Sequence, residues 1–194
     1  LFDDQYRIHS YDEIIYAPKR DCNTKHNVYL LYEKQPKDNS RNYSIRVDVF
    51  SKINLIYYTS WYITIPFQFL PVNRISTRLK IPAQTIQISK GCSLKCVHGQ
   101  CTKYGNIDKF FCRCSQGWMG YLCNVDVEHL CNCVKGSICV GTIGNRSICI
   151  CPVGRFGPRC LLQNTVCSSA ANRCNHNGLC IPIDDRISTS NYSC

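Results

Sequence analysis

Long hydrophobic runs are missing from this sequence of 194 residues. No stretch approaches the roughly 18 apolar residues of a membrane-spanning helix, and no basic region followed by an apolar run marks a signal peptide. The chain begins at Leu1 without methionine and stops at Cys194 in the middle of a cysteine pattern. We therefore expect an excerpt, with any secretion signal or membrane anchor outside these residues.

Motifs of common enzymes are also missing. The sequence contains no G-x-S-x-G, H-E-x-x-H or phosphate-loop pattern, so nothing defines a nucleophile, a catalytic metal or a phosphate site. Cys22 and His26 are the one arrangement that resembles a nucleophile and its base, but their C-x3-H spacing gives no context to orient the imidazole. The acidic pairs Asp3-Asp4 and Asp12-Glu13 are typical of solvated surface. We expect no enzyme.

The C-x2-C pairs that are typical of structural zinc sites are absent as well. Such sites usually combine cysteine pairs of C-x2-C to C-x4-C spacing with closely spaced histidines. This sequence has no C-x2-C pair, and the three histidines among its cysteines are isolated: His98, His129 and His176. We expect the cysteines to form disulfides instead of binding a metal.

The net charge of +10 is divided evenly between the two halves of the chain and forms no basic tail. There are 13 basic and 8 acidic residues before Cys92, and 10 basic and 5 acidic residues from Cys92 onward. A nucleic-acid-binding protein would cluster its cations on one element, whereas the longest basic run here is Lys19-Arg20. We expect no nucleic-acid partner. The charge indicates a solvated positive surface, with weak attraction to acidic glycans as the alternative.

Cysteine is nearly absent from the first half of the chain and abundant in the second. Of the 17 cysteines, 16 lie in the 103 residues from Cys92 to Cys194, and only Cys22 precedes them. This density exceeds the roughly 8–10% that marks disulfide scaffolds. Because disulfides persist in oxidising compartments, the pattern predicts an extracellular or cell-surface chain.

Three N-x-[ST] sequons without proline agree with that location. They begin at Asn42, Asn145 and Asn191. Such sequons are frequent by chance, so they support the cysteine pattern and do not stand alone. We predict N-glycosylation at these three asparagines.

Apolar and polar residues alternate in the first ninety positions, which is the period of half-buried β-strands. The alternation is clearest at 45–49, 61–67 and 75–81, and more continuously apolar runs lie at 28–32 and 53–58. The polar segment 34–40 has the composition of a turn that joins antiparallel strands. We predict five strands in a small antiparallel meander or sandwich with its own core.

Two hexads of cysteines with the same ending occupy most of the second half. The first, from Cys92 to Cys123, reads C-x3-C-x4-C-x10-C-x-C-x8-C, and the second, from Cys131 to Cys160, reads C-x-C-x5-C-x9-C-x-C-x8-C. Short segments with so few large apolar residues stay folded only when covalent bonds hold them. Spacing alone leaves the pairing of the cysteines open.

Both hexads resemble epidermal growth factor-like (EGF-like) modules. That family ends in C-x-C-x2-G-[aromatic]-x-G-x2-C, and CRCSQGWMGYLC at 112–123 fits every named position. CICPVGRFGPRC at 149–160 fits with its aromatic residue one place late. Together with the strands, the resemblance predicts a mainly β chain: an N-terminal antiparallel β segment at 1–90, then small disulfide-rich EGF-like modules in tandem. These lie at 91–124, 125–161 and, truncated after the fourth cysteine, 162–194.

The resemblance implies a pairing, because EGF-like modules join the first cysteine to the third, the second to the fourth and the fifth to the sixth. Carried over, this gives Cys92 with Cys101, Cys96 with Cys112, Cys114 with Cys123, Cys131 with Cys139, Cys133 with Cys149, Cys151 with Cys160, Cys167 with Cys180 and Cys174 with Cys194. Cys22 has no partner in this scheme. We expect it to bond a cysteine outside the sequence or in another chain.

Calcium is the cofactor that the resemblance raises, because many EGF-like modules bind it through acidic residues just before the first cysteine. Asp126 and Glu128 precede Cys131 but stand about one residue too far upstream, and calcium needs about six or more oxygen ligands. We expect no cofactor, with calcium as the open alternative. Asp126 and Glu128 are then residues of a solvated linker.

The resemblance implies a non-catalytic extracellular or cell-surface protein whose modules serve protein–protein interaction and spacing, with extracellular proteins as partners. Large multidomain proteins that combine LDL-receptor class A and EGF-like repeats are loosely similar. A growth-factor-like ligand for a cell-surface receptor is the alternative: Arg159 precedes the sixth cysteine as in such ligands, but Thr165 replaces their leucine. Trp118, Tyr121 and Phe156 are more typical of a miniature core than of contact residues.

Overall fold

The computed structural model describes residues 1–16, 25–30, 40–66, 74–82, 91–167, 174, 178, 180–182 and 192–194. Strands dominate these residues, their pairings are antiparallel, and the helical structure among them consists of two short 3-10 turns, Glu128–Leu130 and Thr165–Cys167. The mainly β prediction is confirmed. No helix in the described ranges is long and apolar enough to cross a bilayer.

The N-terminal part forms a three-stranded sheet in the order β1-β2-β3, from β1 (Phe2–Asp3), β2 (Tyr43–Phe50) and β3 (Tyr57–Thr64). The alternating pattern of the sequence sets the register, in which Val47 lies opposite Trp61. A tight loop joins β2 to β3, where the Ser51 N–H donates to the Ile56 carbonyl over 2.7 Å. This hairpin leaves one long edge of β3 free for another part of the chain.

Three of the predicted strands differ from the structure. Residues 75–81 and the described part of 28–32, residues 28–30, form no strand. Alternation alone does not make a strand without a partner to bury its apolar side, and Val28, Ile75 and Ile81 are exposed. Residues 53–56 belong to the β2–β3 loop, so β3 starts only at Tyr57. Most of the predicted turn at 34–40 lies outside the described residues, as does Phe67.

The cysteine-rich half is a series of two-stranded sheets held by disulfides. Longer hairpins alternate with very short ones in the first two modules. The pairs are β4 (Gly99–Lys103) with β5 (Phe110–Cys114), β6 (Trp118–Met119) with β7 (Val125–Asp126), β8 (Ile138–Ile143) with β9 (Arg146–Ile150), β10 (Arg155–Phe156) with β11 (Leu162–Gln163), and β12 (Ile181–Pro182) with β13 (Tyr192–Ser193). Strands β7 and β11 pair back onto the preceding module, which holds the connection between modules in place.

Burial in the modules centres on their cysteines. Cys123, Cys149, Cys151 and Cys160 are fully buried, as expected where disulfides replace an apolar core. The N-terminal sheet, in contrast, buries Tyr57 against Tyr104 and Phe111 of the first module. The core predicted to belong to the first ninety residues alone is therefore shared with the module that follows.

Candidate interaction surface

Eight disulfide bonds link the described cysteines and bring each pair implied by the EGF-like resemblance together. They join Cys92 to Cys101, Cys96 to Cys112, Cys114 to Cys123, Cys131 to Cys139, Cys133 to Cys149, Cys151 to Cys160, Cys167 to Cys180 and Cys174 to Cys194. Cys22 lies outside the described residues. Crossed loops of this kind fix each small hairpin, because each bond restricts the unfolded chain and contributes about 2–4 kcal/mol.

The turn between β4 and β5 docks on the free edge of β3. The Gly105 N–H donates to the Ser60 carbonyl over 2.8 Å. The Asn106 side chain makes two further bonds with the Tyr62 backbone: its Oδ1 accepts from the Tyr62 N–H at 2.9 Å, and its Nδ2 donates to the Tyr62 carbonyl at 2.7 Å. A side-chain amide thus takes the place of a neighbouring strand, which satisfies edge groups that are otherwise free to pair with another chain.

Aromatic rings fill the space behind this edge. Tyr104 stacks on Phe111 with ring centroids 4.4 Å apart, and Tyr62 lies 5.3 Å from Tyr104. Burial is the main cause that raises the pKa of Tyr57 to about 12. The hydroxyl of Tyr57 donates to Ser60, so its polar end is satisfied although the ring is buried.

Three cations cross the same boundary and lie over aromatic rings. Arg113 of β5 lies 4.6 Å from the Tyr57 ring, and Arg46 of β2 lies 5.4 Å from the Phe111 ring. Lys109, in the β4–β5 turn, lies 5.9 Å from the ring of Tyr62. Each such pair contributes about 0.5–2 kcal/mol depending on how far water is excluded. The sheet and the first module are therefore joined by apolar, polar and electrostatic contacts.

The first strand is organised by one buried carboxylate. Asp3 is 1% exposed, and its oxygens accept hydrogen bonds from Gln5, Arg7, His9 and Arg41. Burial alone would raise the pKa of Asp3, but the bonds from the Arg7 backbone and from the His9 and Arg7 side chains outweigh it, so the pKa lies below its ordinary value. Asp3 is thus not the solvated residue that the sequence suggests, because folding surrounds it with donors.

The N-terminal segment, residues 1–16, also touches the first two modules. The Tyr6 ring lies 4.9 Å from that of Tyr121 in the first module. Ile8 reaches the second module, where its Cδ1 lies 3.0 Å from the position that a Cβ on Gly141 would occupy. An ion pair between Glu13 and Lys52 ties the far end of the segment to the β2–β3 loop. The segment therefore bridges modules that the sequence connects only through a short linker.

Direct contacts between the modules add to this bridge. Thr142 of β8 lies 3.9 Å from the Met119 sulfur, oxygen to sulfur. The Ser147 hydroxyl donates to the Leu130 carbonyl and accepts from the Asn132 N–H, both at 2.8 Å. Because Leu130 belongs to the connecting 3-10 turn, these bonds hold the connection against the second module.

Two of the three predicted glycosylation sites are described. Asn42 is exposed just before β2, and Asn145 is exposed in the β8–β9 turn. Their partner hydroxyls, in Ser44 and Ser147, are buried in the folded chain. N-glycans attach to the asparagine of a sequon at the surface of a secreted protein. Both asparagines are accessible. Asn191 lies outside the described residues.

The structure does not assemble the other candidate groups into a site. No cluster of three or more His, Cys, Asp or Glu residues able to hold a metal occurs in the part of the chain that the structure describes. Asp126 and Glu128 are exposed, and the Asp126 carboxylate accepts a hydrogen bond from the Glu128 N–H at 2.8 Å. His129 is exposed, and His98 stacks on Trp118 with ring centroids 3.5 Å apart. His176 lies outside the described residues, as does Cys22, the other residue of the C-x3-H arrangement with His26.

The three aromatic residues predicted to form miniature cores have different surroundings. Trp118 and Phe156 are half-buried, the former beneath His98. Tyr121 is 45% exposed and packs on the N-terminal segment through Tyr6. Tyr121 is thus a contact residue within the chain, a role that its position near the last disulfide of the module does not reveal.

Sequence comparison relates the chain to three kinds of protein, although no family model matches it. Delta-like protein 3 of Rattus norvegicus is 27% identical over 141 residues, covering 59% of this chain and 22% of that protein. Protein eyes shut homolog of Macaca fascicularis is 35% identical over 69 residues, covering 34% of this chain and 2% of that protein. Neurogenic locus notch homolog protein 1 of Xenopus tropicalis is 39% identical over 61 residues, covering 30% and 2% respectively.

The chain spans less than a quarter of the length of each of these relatives. All three are EGF-repeat proteins of the extracellular space or cell surface. The disulfide framework and the small antiparallel sheets agree with them. The cysteine-rich half of the chain therefore consists of small disulfide-bonded modules similar to the EGF-like modules of these extracellular and cell-surface proteins.

Proposed function

We propose that the chain is a non-catalytic interaction and spacing unit, in which EGF-like modules at 91–124, 125–161 and 162–194 present binding faces to extracellular proteins. The main support for this proposal is that residues 1–66 contact more than one module. Docking of the β4–β5 turn on β3, together with the Tyr6 and Ile8 contacts, favours a fixed arrangement of the first two modules. A spacer needs such stiffness, because a flexible string of modules would not hold a binding face at a set distance.

Relative tumbling of the modules tests the spacing role. In ¹⁵N relaxation measurements on the whole chain, amides of β4–β5 and of β8–β9 should report one common rotational correlation time. Replacing Ile8 and Tyr6 together by alanine should separate the two values, because it removes both side chains that bridge from the N-terminal segment. The matched control is Ile53→Ala with Val28→Ala, which removes apolar side chains that are exposed. Independent tumbling of the two hairpins in the unaltered chain would refute the spacer.

The proposal includes N-glycans on Asn42, Asn145 and Asn191. Two observations support it for the described sites: Asn42 and Asn145 are exposed, and they lie at a strand end and in a turn. Expression in a secretory host followed by glycosidase treatment and mass spectrometry should show a mass change at each asparagine. Unmodified peptides at all three positions would contradict this part.

A further inference from the structure

One exposed stretch, residues 74–82, carries an unusual concentration of unpaired charge. The sequence RISTRLKIP holds Arg74, Arg78 and Lys80 within seven positions and contains no acidic residue. No other window of seven residues in the chain has three Lys or Arg residues without an acid. We name residues 74–82 the basic segment.

Several cations elsewhere in the described chain form ion pairs, but those of the basic segment do not. The structure gives Arg74, Arg78 and Lys80 no ion pair or hydrogen bond within its described residues, and all three are exposed. Elsewhere, Arg7 and Arg41 pair with Asp3, Arg46 with Asp48, Lys52 with Glu13 and Lys103 with Asp108. The positive charge of the basic segment is therefore available to a partner.

The order of residues in the segment favours a linear polyanion. Residues 74–82 form no helix or strand. Arg74, Arg78 and Lys80 are spaced within seven positions of this irregular stretch, and all three are exposed. Closely spaced, exposed cations suit a ligand whose charges also repeat along a line.

The extracellular location of the chain limits which polyanions it can meet. Outside the cell, nucleic acid is not the expected partner, and the strongly anionic lipid surface faces the cytoplasm. Sulfated polysaccharide is the abundant polyanion that remains, and short basic stretches are known to favour it. We infer that the basic segment binds sulfated glycosaminoglycan through Arg74, Arg78 and Lys80, and so anchors the chain to the glycan layer around cells. This inference does not depend on the proposed spacing role.

Binding of the whole chain to immobilised heparin tests the inference. The variant R74Q/R78Q/K80Q should bind about tenfold or more weakly at an ionic strength of about 0.15 M. Its dependence on salt should also become shallower, because fewer counterions are released from the polyanion. The matched control is K95Q/K135Q/R146Q, which removes the same charge from three exposed cations and should leave the affinity close to that of the unaltered chain.

A second measurement needs no variant. Heparin in excess should slow the cleavage by trypsin after Arg74, Arg78 and Lys80, while cleavage after Lys95 and Lys135 continues at its original rate. Equal weakening by both triple variants, or equal protection of all these bonds, would show diffuse attraction to net charge and overturn the inference. The same holds if heparin is not bound at all, or if phosphatidylserine vesicles are bound and heparin is not.

Discussion

At the scale of single residues, Asp3 decides how the start of the chain folds. Its carboxylate is buried among donors from Arg7 and His9, which follow β1, and from Arg41, which precedes β2. A buried charge is tolerated only where such partners replace water. The same carboxylate makes this part of the chain sensitive to acid.

The substitution Asp3→Asn should destabilise residues 1–10 by about 2–4 kcal/mol at neutral pH, because it removes a charged acceptor and leaves its donors unpaired. The native pKa of Asp3 lies below the ordinary value of 3.8. The stabilisation is therefore complete above that ordinary value and is lost as the pH falls through the native pKa. Hydrogen exchange of the first ten amides at neutral and acid pH measures both effects.

In Asp3→Asn, the first ten amides should be less protected against hydrogen exchange at neutral pH. Their protection should also change less as the pH falls. Asp4→Asn is the matched control, since Asp4 is the exposed neighbour of Asp3. An unchanged acid response in Asp3→Asn would mean that another group controls this region.

Gly99 is a second residue whose size is fixed by its surroundings. A Cβ at this position would lie 2.5 Å from the Arg113 carbonyl oxygen and 2.8 Å from the Cys123 sulfur. Neither atom is at the end of a flexible side chain, so Gly99→Ala should destabilise the first module by about 2–3 kcal/mol. Exchange of the β4–β5 amides under native conditions measures the loss.

Gly136→Ala is the control for Gly99→Ala, because Gly136 has open space around it and only its positive φ of 87° opposes a side chain. That change should cost about 1–2 kcal/mol and act on the second module. Equal exchange in β4–β5 for the unaltered chain and for Gly99→Ala would contradict the packing described around Gly99.

At the scale of elements, the sequence predicts best where its signal is local. The alternation at 45–49 and 61–65 predicts β2 and most of β3. The EGF-like resemblance of the cysteine hexads implies the disulfide pairs that hold the hairpins of the modules. The alternation at 75–81 predicts a strand that is absent, because a period of two reports a side-chain pattern and not the presence of a partner strand. The run at 53–58 is divided by the β2–β3 loop, a boundary that apolar composition does not reveal.

The docking of the β4–β5 turn on β3 was not predictable from the pattern. Gly105 and Asn106 form an ordinary turn dipeptide, and nothing in a single sequence indicates that the Asn106 amide binds the Tyr62 backbone 44 residues away. The burial of Tyr104 was not predictable either, because it depends on contacts with both Tyr62 and Phe111, which lie on different strands. Long-range packing of this kind has no period in the sequence.

Asn106→Ala should loosen the docked turn by about 1–2 kcal/mol, because two hydrogen bonds to the backbone of Tyr62 are lost. The Tyr62 amide should exchange faster, and the β8–β9 amides should not change. Asn27→Ala, at an exposed asparagine that makes neither bond, serves as the control. If Tyr62 keeps its protection in Asn106→Ala, the edge contact does not contribute to docking.

At the scale of the whole molecule, disulfide bonds and non-covalent contacts together fix the structure. Disulfides fix each hairpin, the paired strands β7 and β11 hold the connections, and residues 1–16 reach across the first two modules. The relatives are EGF-repeat proteins far longer than this chain. The fold and the proposed function both require EGF-like modules, and the pairing of the cysteines defines such modules.

Disulfide mapping by mass spectrometry of non-reduced peptides, on protein from a secretory host, measures this pairing. We expect crossed pairs in each module, beginning with Cys92 to Cys101 and Cys96 to Cys112, and we expect Cys22 to be joined to none of the other 16 cysteines. Free thiols with bound zinc, or pairs between neighbouring cysteines in place of the crossed ones, would contradict the fold, the location and the proposed function together.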